Sequence, residues 1–418
     1  MKQLIQTLKE SHIIVALGNQ AIVIAVAADV CSATPLEAPD ADATMIQAVA
    51  LTQLPDGSMT YAVARSSKQL QIFRDKEMAA SYVTPKRVSS MCFALVADDQ
   101  HSMTVVVVSD LAGDAIAYSV EKGLNDSKDD EKNQETNCRL LLGHTASMLT
   151  KVLVHQHYIV TADRDEKIRV SYFPDTYRIH GYLLGHLAFV SSFDVHNNAC
   201  ASAGGDRMIR LWDLVTCKEL ASISTVSDEN ANDQSIQPIP TSILWDALGN
   251  YVAVIYDDAV YVDFFVWQNE SISHATRVEC QAQPLGLARR GSSQFLLLIR
   301  DPPYLQELQM DSTTDKSHLM VAQTTQSRIR HTLEESIQKL EITDIPQSVL
   351  ERDNTGNVTI EKHSETRGPT HTKPWENVSR VETAKARNRR FKRRKRGSYS
   401  DNDEEEDAEG DVTIEKHD

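Results

Sequence analysis

The chain has 418 residues, more than one ordinary domain, and 43 Lys and Arg stand against 59 Asp and Glu for a formal net charge of −16. That balance argues against a protein that grips nucleic acid with its whole surface, because phosphate binding needs clustered cations. Six cysteines scattered without a CxxC pair fit free thiols better than a disulfide frame or a zinc site. No run approaches the roughly 18–20 apolar residues of a membrane span, so the expectation is a soluble intracellular protein.

Read from the N-terminus, seven segments each join two β-branched-rich runs through polar turn residues, as hairpins do. They are HIIVALGNQAIVIAV, TYAVARSSKQLQIF, TVVVVSDLAGDAIAYSV, YIVTADRDEKIRVSYF, ACASAGGDRMIRLWDL, YVAVIYDDAVYVDFFVW and QFLLLIRDPPYLQEL, with turns near residues 19, 67, 113, 165, 206, 257 and 301. The fourth and fifth units also form a repeat. Gly143-His144 and Gly185-His186 lie 42 residues apart, and Thr161, Asp165, Ile168 and Arg169 hold the same spacing among themselves as Ser202, Asp206, Ile209 and Arg210. The fifth unit ends in Trp212-Asp213, where the fourth has Ser171-Tyr172.

A spacing of about 40–45 residues with a Gly-His start and a Trp-Asp end resembles the WD-repeat family, whose unit is a four-stranded propeller blade. The fold expected is all-β: a seven-bladed WD-repeat β-propeller over residues 1–310, followed by a largely disordered charged C-terminal tail. Continuous apolar runs such as Val105–Val108 suit strands buried on both faces between neighbouring blades. The Leu244–Asp246 triplet reads as an early-blade strand rather than a repeat end. By resemblance to the family's internal brace, His186, Ser202, Asp206 and Trp212 form a hydrogen-bonded quartet. His144, Thr161 and Asp165 keep three of its members, with Ser171 in the tryptophan's place.

Residues 311–342 contain TLEESIQKLEI, whose Thr332/Glu335 spacing suggests a capping box and whose Ile329, Leu333, Ile337 and Leu340 share one helical face. From 343 to 418 the chain is polar and reads as disordered. Within it Arg387, Arg389, Arg390, Lys392, Arg393, Arg394, Lys395 and Arg396 form a basic block, suited to nuclear import or to contact with RNA phosphates. An acidic block, 401–411, follows. Import favours a nuclear location, with the cytoplasm as a second compartment.

Enzyme chemistry is not visible. No glycine-rich loop has nucleotide or S-adenosylmethionine spacing, no serine sits in a nucleophile elbow, and His155 and His157 lack a carboxylate or cysteine frame for a metal. A propeller without such a site is expected to act as a scaffold, with no cofactor of its own.

One stretch goes beyond the generic repeat. Asp163–Ser171 (DRDEKIRVS), Pro174, Leu184-Gly185-His186 and Phe189-Val190-Ser191 resemble the WD-repeat non-catalytic subunit of tRNA (guanine-N7)-methyltransferase. The resemblance implies a heterodimer. A catalytic subunit would carry S-adenosylmethionine and methylate N7 of a guanine in the tRNA variable loop, and this chain would hold that subunit in its active shape. tRNA would be met mainly through the partner, since residues 1–310 carry 24 basic and 37 acidic residues, a net of −13. Arg169, with Lys167 and Arg164 beside it, is the expected partner-binding group, reaching a carboxylate. The alternative is a general nuclear WD-repeat scaffold in a chromatin or ubiquitin-ligase complex. Leu214 and Val215 after Trp212-Asp213 count mildly against the adaptor form of it.

Overall fold

A computed structural model describes residues 2–340, apart from 9, 28–29, 38–43, 98–101, 121–137, 146, 227–236, 313–318 and 325–326. The basic and acidic blocks and the rest of 343–418 lie outside the described residues. Seven antiparallel four-stranded sheets follow one another along the chain. Blade 1 spans 5–35, blade 2 46–83, blade 3 88–143, blade 4 149–184, blade 5 190–224, blade 6 240–279 and blade 7 284–324. In each, the expected hairpin is the pair of middle strands, of which the second strand of the blade is buried along most of its length.

The first strand of every sheet packs against the first strands of its two neighbours, so the seven close into a ring. Apolar cores lie between consecutive blades: Val106 and Ala62 between blades 2 and 3, Val170 and Trp212 between 4 and 5, Phe264 and Phe295 between 6 and 7. Each sheet is therefore covered on both faces, which explains the unbroken Val105–Val108 run. Trp245 closes the first strand of blade 6, so the Leu244–Asp246 triplet opens a blade.

The ring surrounds a cavity of 490 Å³, and polar side chains near its wall tie several blades together. Leu51 N–H donates to Gln6 Oε1 (2.9 Å), and Gln3 Nε2 donates to the Val49 and Met91 carbonyls (3.1 and 3.2 Å). Thr150 Oγ1 donates to the Val190 carbonyl (2.6 Å), Trp245 N–H donates to Asp194 Oδ2 (2.9 Å), and Arg289 Nη1 donates to the Trp245 carbonyl (3.1 Å). Such bonds satisfy backbone groups that the twist of the sheets leaves without ladder partners.

Two expectations for the chain beyond residue 310 change. Blade 7 runs past that residue, because Leu319–Thr324 pairs with Leu305–Ser312 as its outer strand. The single described helix, α1 (Arg328–Leu340), starts four residues before Thr332. Its N-cap is Ser327, whose hydroxyl accepts the Arg330 N–H (3.2 Å), so Thr332 lies inside the helix and Thr332/Glu335 is not a capping box. Ile329, Leu333 and Ile337 are buried against the propeller, and Leu340 packs at the margin of the same cluster.

Candidate partner-docking edge

Blade 5 carries the complete brace. His186 Nδ1 donates to the Asp206 carboxylate (3.0 Å), His186 Nε2 meets Ser202 Oγ (2.8 Å), and Trp212 Nε1 donates to the same hydroxyl (2.8 Å). Burial would raise the Asp206 carboxyl. His186 and the backbone N–H groups of Leu187 and Met208 outweigh it and hold the carboxyl below its ordinary range.

Blade 4 is built differently. His144 Nε2 bonds Thr161 Oγ1 (2.8 Å), but its Nδ1 pairs with Asp163 Oδ2 (2.8 Å), not with Asp165. Asp163 is the last residue of its strand and is buried; its Oδ1 accepts the N–H groups of Asp165 and Lys167 (2.8 and 3.0 Å). The equivalent position in blade 5 is Gly204, which has no side chain, so there the carboxylate must come from the turn. With Asp163 in place, Asp165 is released from the histidine and its Oδ1 lies 3.7 Å from Arg164 Nε.

Where blade 5 has Trp212, blade 4 has the fully buried Ser171. Arg169 lies across it: Nε donates to Ser171 Oγ (2.9 Å), Nη2 to the Thr176 carbonyl (3.1 Å) and Nη1 to the Gly143 carbonyl of blade 3 (3.4 Å). Burial lowers the pKa of this guanidinium, and no carboxylate among the described residues pairs with it. Its counterpart Arg210 is neutralised by Glu219 at 2.7 Å. A guanidinium has five N–H donors, so Arg169 retains two beyond its three bonds. Lys167 is exposed and donates to the Asp165 carbonyl (3.3 Å).

The outer strand of blade 4, Ile179–Leu184, runs beside this group, with Lys167 opposite Leu184 and Arg169 opposite Tyr182. Charge reasoning missed what this strand presents. Leu184 is 63% exposed, and Ile179 and Tyr182 are exposed with it. The Thr176 hydroxyl donates to the Leu141 carbonyl, joining the loop that carries exposed Tyr177 to the blade 3 strand that carries exposed Leu140. Strand and loop are held firmly. The Arg178 guanidinium lies 4.5 Å from the Tyr172 ring centre, and His180 Nε2 donates to the Val215 carbonyl (2.9 Å). His180 Nδ1 then accepts from the Tyr172 hydroxyl (3.1 Å). A contiguous apolar strip rimmed by cations marks a protein-interaction surface more than a catalytic one. Among the described residues no group of three or more His, Cys, Asp or Glu is placed to hold a metal, and no helix is long and apolar enough to cross a membrane.

Fold and edge define a seven-bladed WD-repeat propeller whose distinctive surface is a fixed cation beside an exposed apolar strand. The model of the tRNA methyltransferase TRM82 WD40 domain matches residues 101–321, and the chain belongs to that family. Among its relatives, the tRNA (guanine-N(7)-)-methyltransferase non-catalytic subunit wuho of Drosophila melanogaster is 36% identical over 186 residues, 43% of this chain and 40% of that protein. The non-catalytic subunit TRM82 of Saccharomyces cerevisiae (strain RM11-1a) is 34% identical over 198 residues, 44% of this chain and 41% of that one. The matched stretch thus spans about two-fifths of either relative. A chain of the solved mitotic checkpoint complex superposes with a TM-score of 0.54 at 14% identity, covering 71% of this chain and 83% of that one, a likeness of fold alone.

Proposed function

We propose that this chain is the non-catalytic subunit of a tRNA (guanine-N7)-methyltransferase, binding the catalytic subunit through the outer edge of blade 4 and holding it in its active conformation. The observation that carries this reading is Arg169. It is a half-buried cation without a carboxylate partner among the described residues, fixed in place by three hydrogen bonds beside an exposed apolar strip. On a segment of net charge −13 such a cation suits a partner carboxylate, and the apolar strip supplies the buried area that a stable complex needs.

The partner is expected to bear an acidic group flanked by apolar side chains, and to carry S-adenosylmethionine and most of the contacts to tRNA. Stabilising its active form needs only a higher affinity for that conformation than for others. The basic block Arg387–Arg396 fits nuclear import, with contact to tRNA phosphates as its second use.

Affinity capture of the full chain, followed by a tRNA N7-methylation assay with and without it, tests the reading. Arg169→Leu is expected to weaken the complex by about 2–5 kcal/mol, the usual cost of truncating one member of a buried interfacial charge pair. Recovery of no methyltransferase, or unchanged methylation by the variant, would contradict the proposal.

A further inference from the structure

Six of the seven blade-to-blade junctions join segments that follow one another in the chain, so a connecting loop tethers them even when their packing loosens. The junction between blade 7 and blade 1 has no such tether. No strand is exchanged across it, because blade 1 is built wholly from residues 5–35 and blade 7 wholly from 284–324. Closing a loop of this length costs more entropy than closing one blade on the next.

The first strands of the two blades pack directly, Ile5 sharing one apolar cluster with Leu285 and Leu298, and polar ties lie beside them. The Thr7 hydroxyl donates to the Arg289 carbonyl, and Arg290 Nε donates to the Glu10 carbonyl (3.2 Å). Gly286 lies against Ile5, where an added Cβ would come within 2.8 Å of Ile5 Cγ2, so the two first strands meet closely at one point.

Helix α1 lies over the outside of this junction. It contacts the third and fourth strands of blade 1 and the third strand of blade 7. Leu333 is fully buried, with Ile329 and Ile337 buried on either side of it, in one cluster that includes Ile22 and Ile24 of blade 1 and Leu305 of blade 7. The cap adds a polar tie. Ser327 accepts the Arg330 N–H and donates its hydroxyl to Glu307 of blade 7. Helix and propeller belong to one compact unit.

We propose that α1 is the clasp that closes the propeller, bridging blades 7 and 1 in place of a shared strand. A helix of 13 residues is marginal by itself. It is ordered by the two blades it spans, and by linkage its docking stabilises their junction in return. The predicted consequence is local: losing α1 loosens the junction before it loosens blades 4 and 5.

Hydrogen exchange tests this on four proteins: the full chain, a chain ending at residue 342, a chain ending at residue 324, and full-length Leu333→Ala. The chain ending at 342 is expected to match the full one. In the other two, amides of Ile5–Leu8, His12–Leu17 and Leu285–Arg290 are expected to exchange faster by about thirtyfold or more, the factor a buried large-to-small change carries. Tyr158–Asp163 of blade 4 should keep its protection. A synthetic peptide of residues 325–342 added to the chain ending at 324 should restore the junction. If that chain does not fold alone, recovery of a folded propeller on adding the peptide supports the clasp, and no recovery counts against it. Unchanged junction protection in Leu333→Ala, or an equal loss in all seven blades, would overturn the proposal.

Discussion

Blades 4 and 5 share strand order, turn position and a His–hydroxyl–carboxylate brace, yet they finish their outer sides differently. Blade 5 ends its brace in Trp212, an aromatic ring buried between the blades, and pairs Arg210 with Glu219. Blade 4 has Ser171 in the tryptophan's place, binds it with Arg169, and leaves that cation without a carboxylate among the described residues. Beside it the outer strand exposes Leu184, Tyr182 and Ile179, whereas the outer strand of blade 5, Lys218–Ser224, exposes Leu220 as its one large apolar residue. The difference teaches what a departure from the repeat does: the blade that keeps its rules satisfies its own charges, and the blade that departs from them leaves a cation and apolar surface open, which is where the proposed partner would dock.

The largest expected effect sharpens that contrast at one position in both blades. Trp212→Ala removes a buried ring and one partner of Ser202, and should lower stability in denaturant by about 3–5 kcal/mol. Ser171→Ala removes only an acceptor for Arg169 and should cost about 1 kcal/mol. Equal losses would mean that blade 4 is braced as blade 5 is.

A second pair tests the altered brace. Asp163→Ala leaves His144 and two backbone N–H groups without their carboxylate and should cost about 1–3 kcal/mol, while Asp165→Ala leaves the His144 bonds intact and should cost less. The reverse order would restore Asp165 to the position that repeat alignment gives it.

The smallest effect is on pH. Because the folded Asp206 carboxyl lies below its unfolded value of about 3.9, its contribution is present above that pH and is lost as pH falls through the folded value. Asp206→Asn should therefore flatten the loss of stability below about pH 4, followed by melting temperature. An acid limb as steep as the wild type's would assign the effect to other carboxylates.

The middle hairpins were legible because strands buried on both faces leave unbroken β-branched runs between turn residues. Outer strands were not: Lys218–Ser224 and Leu319–Thr324 alternate weakly, so blade 7 seemed to stop at 310. Asp163 was missed because repeat alignment carries residues forward by offset. A carboxylate two positions earlier, at the end of a strand, reaches the same histidine through space. The basic residues of the proposed docking edge stood out by charge. Its apolar half did not, because YLLGHL drew attention to the Gly-His marker, and exposure on an outer strand depends on the neighbouring blade.

The most direct test uses exposed residues, so that the fold stays intact. Affinity for the catalytic methyltransferase subunit would be measured for Leu184→Glu at the docking edge and for Leu248→Glu, 64% exposed on blade 6. The account predicts that Leu184→Glu weakens binding by about tenfold or more, while Leu248→Glu leaves it unchanged and both keep the wild-type melting temperature. Equal affinity of the two variants would contradict docking at blade 4.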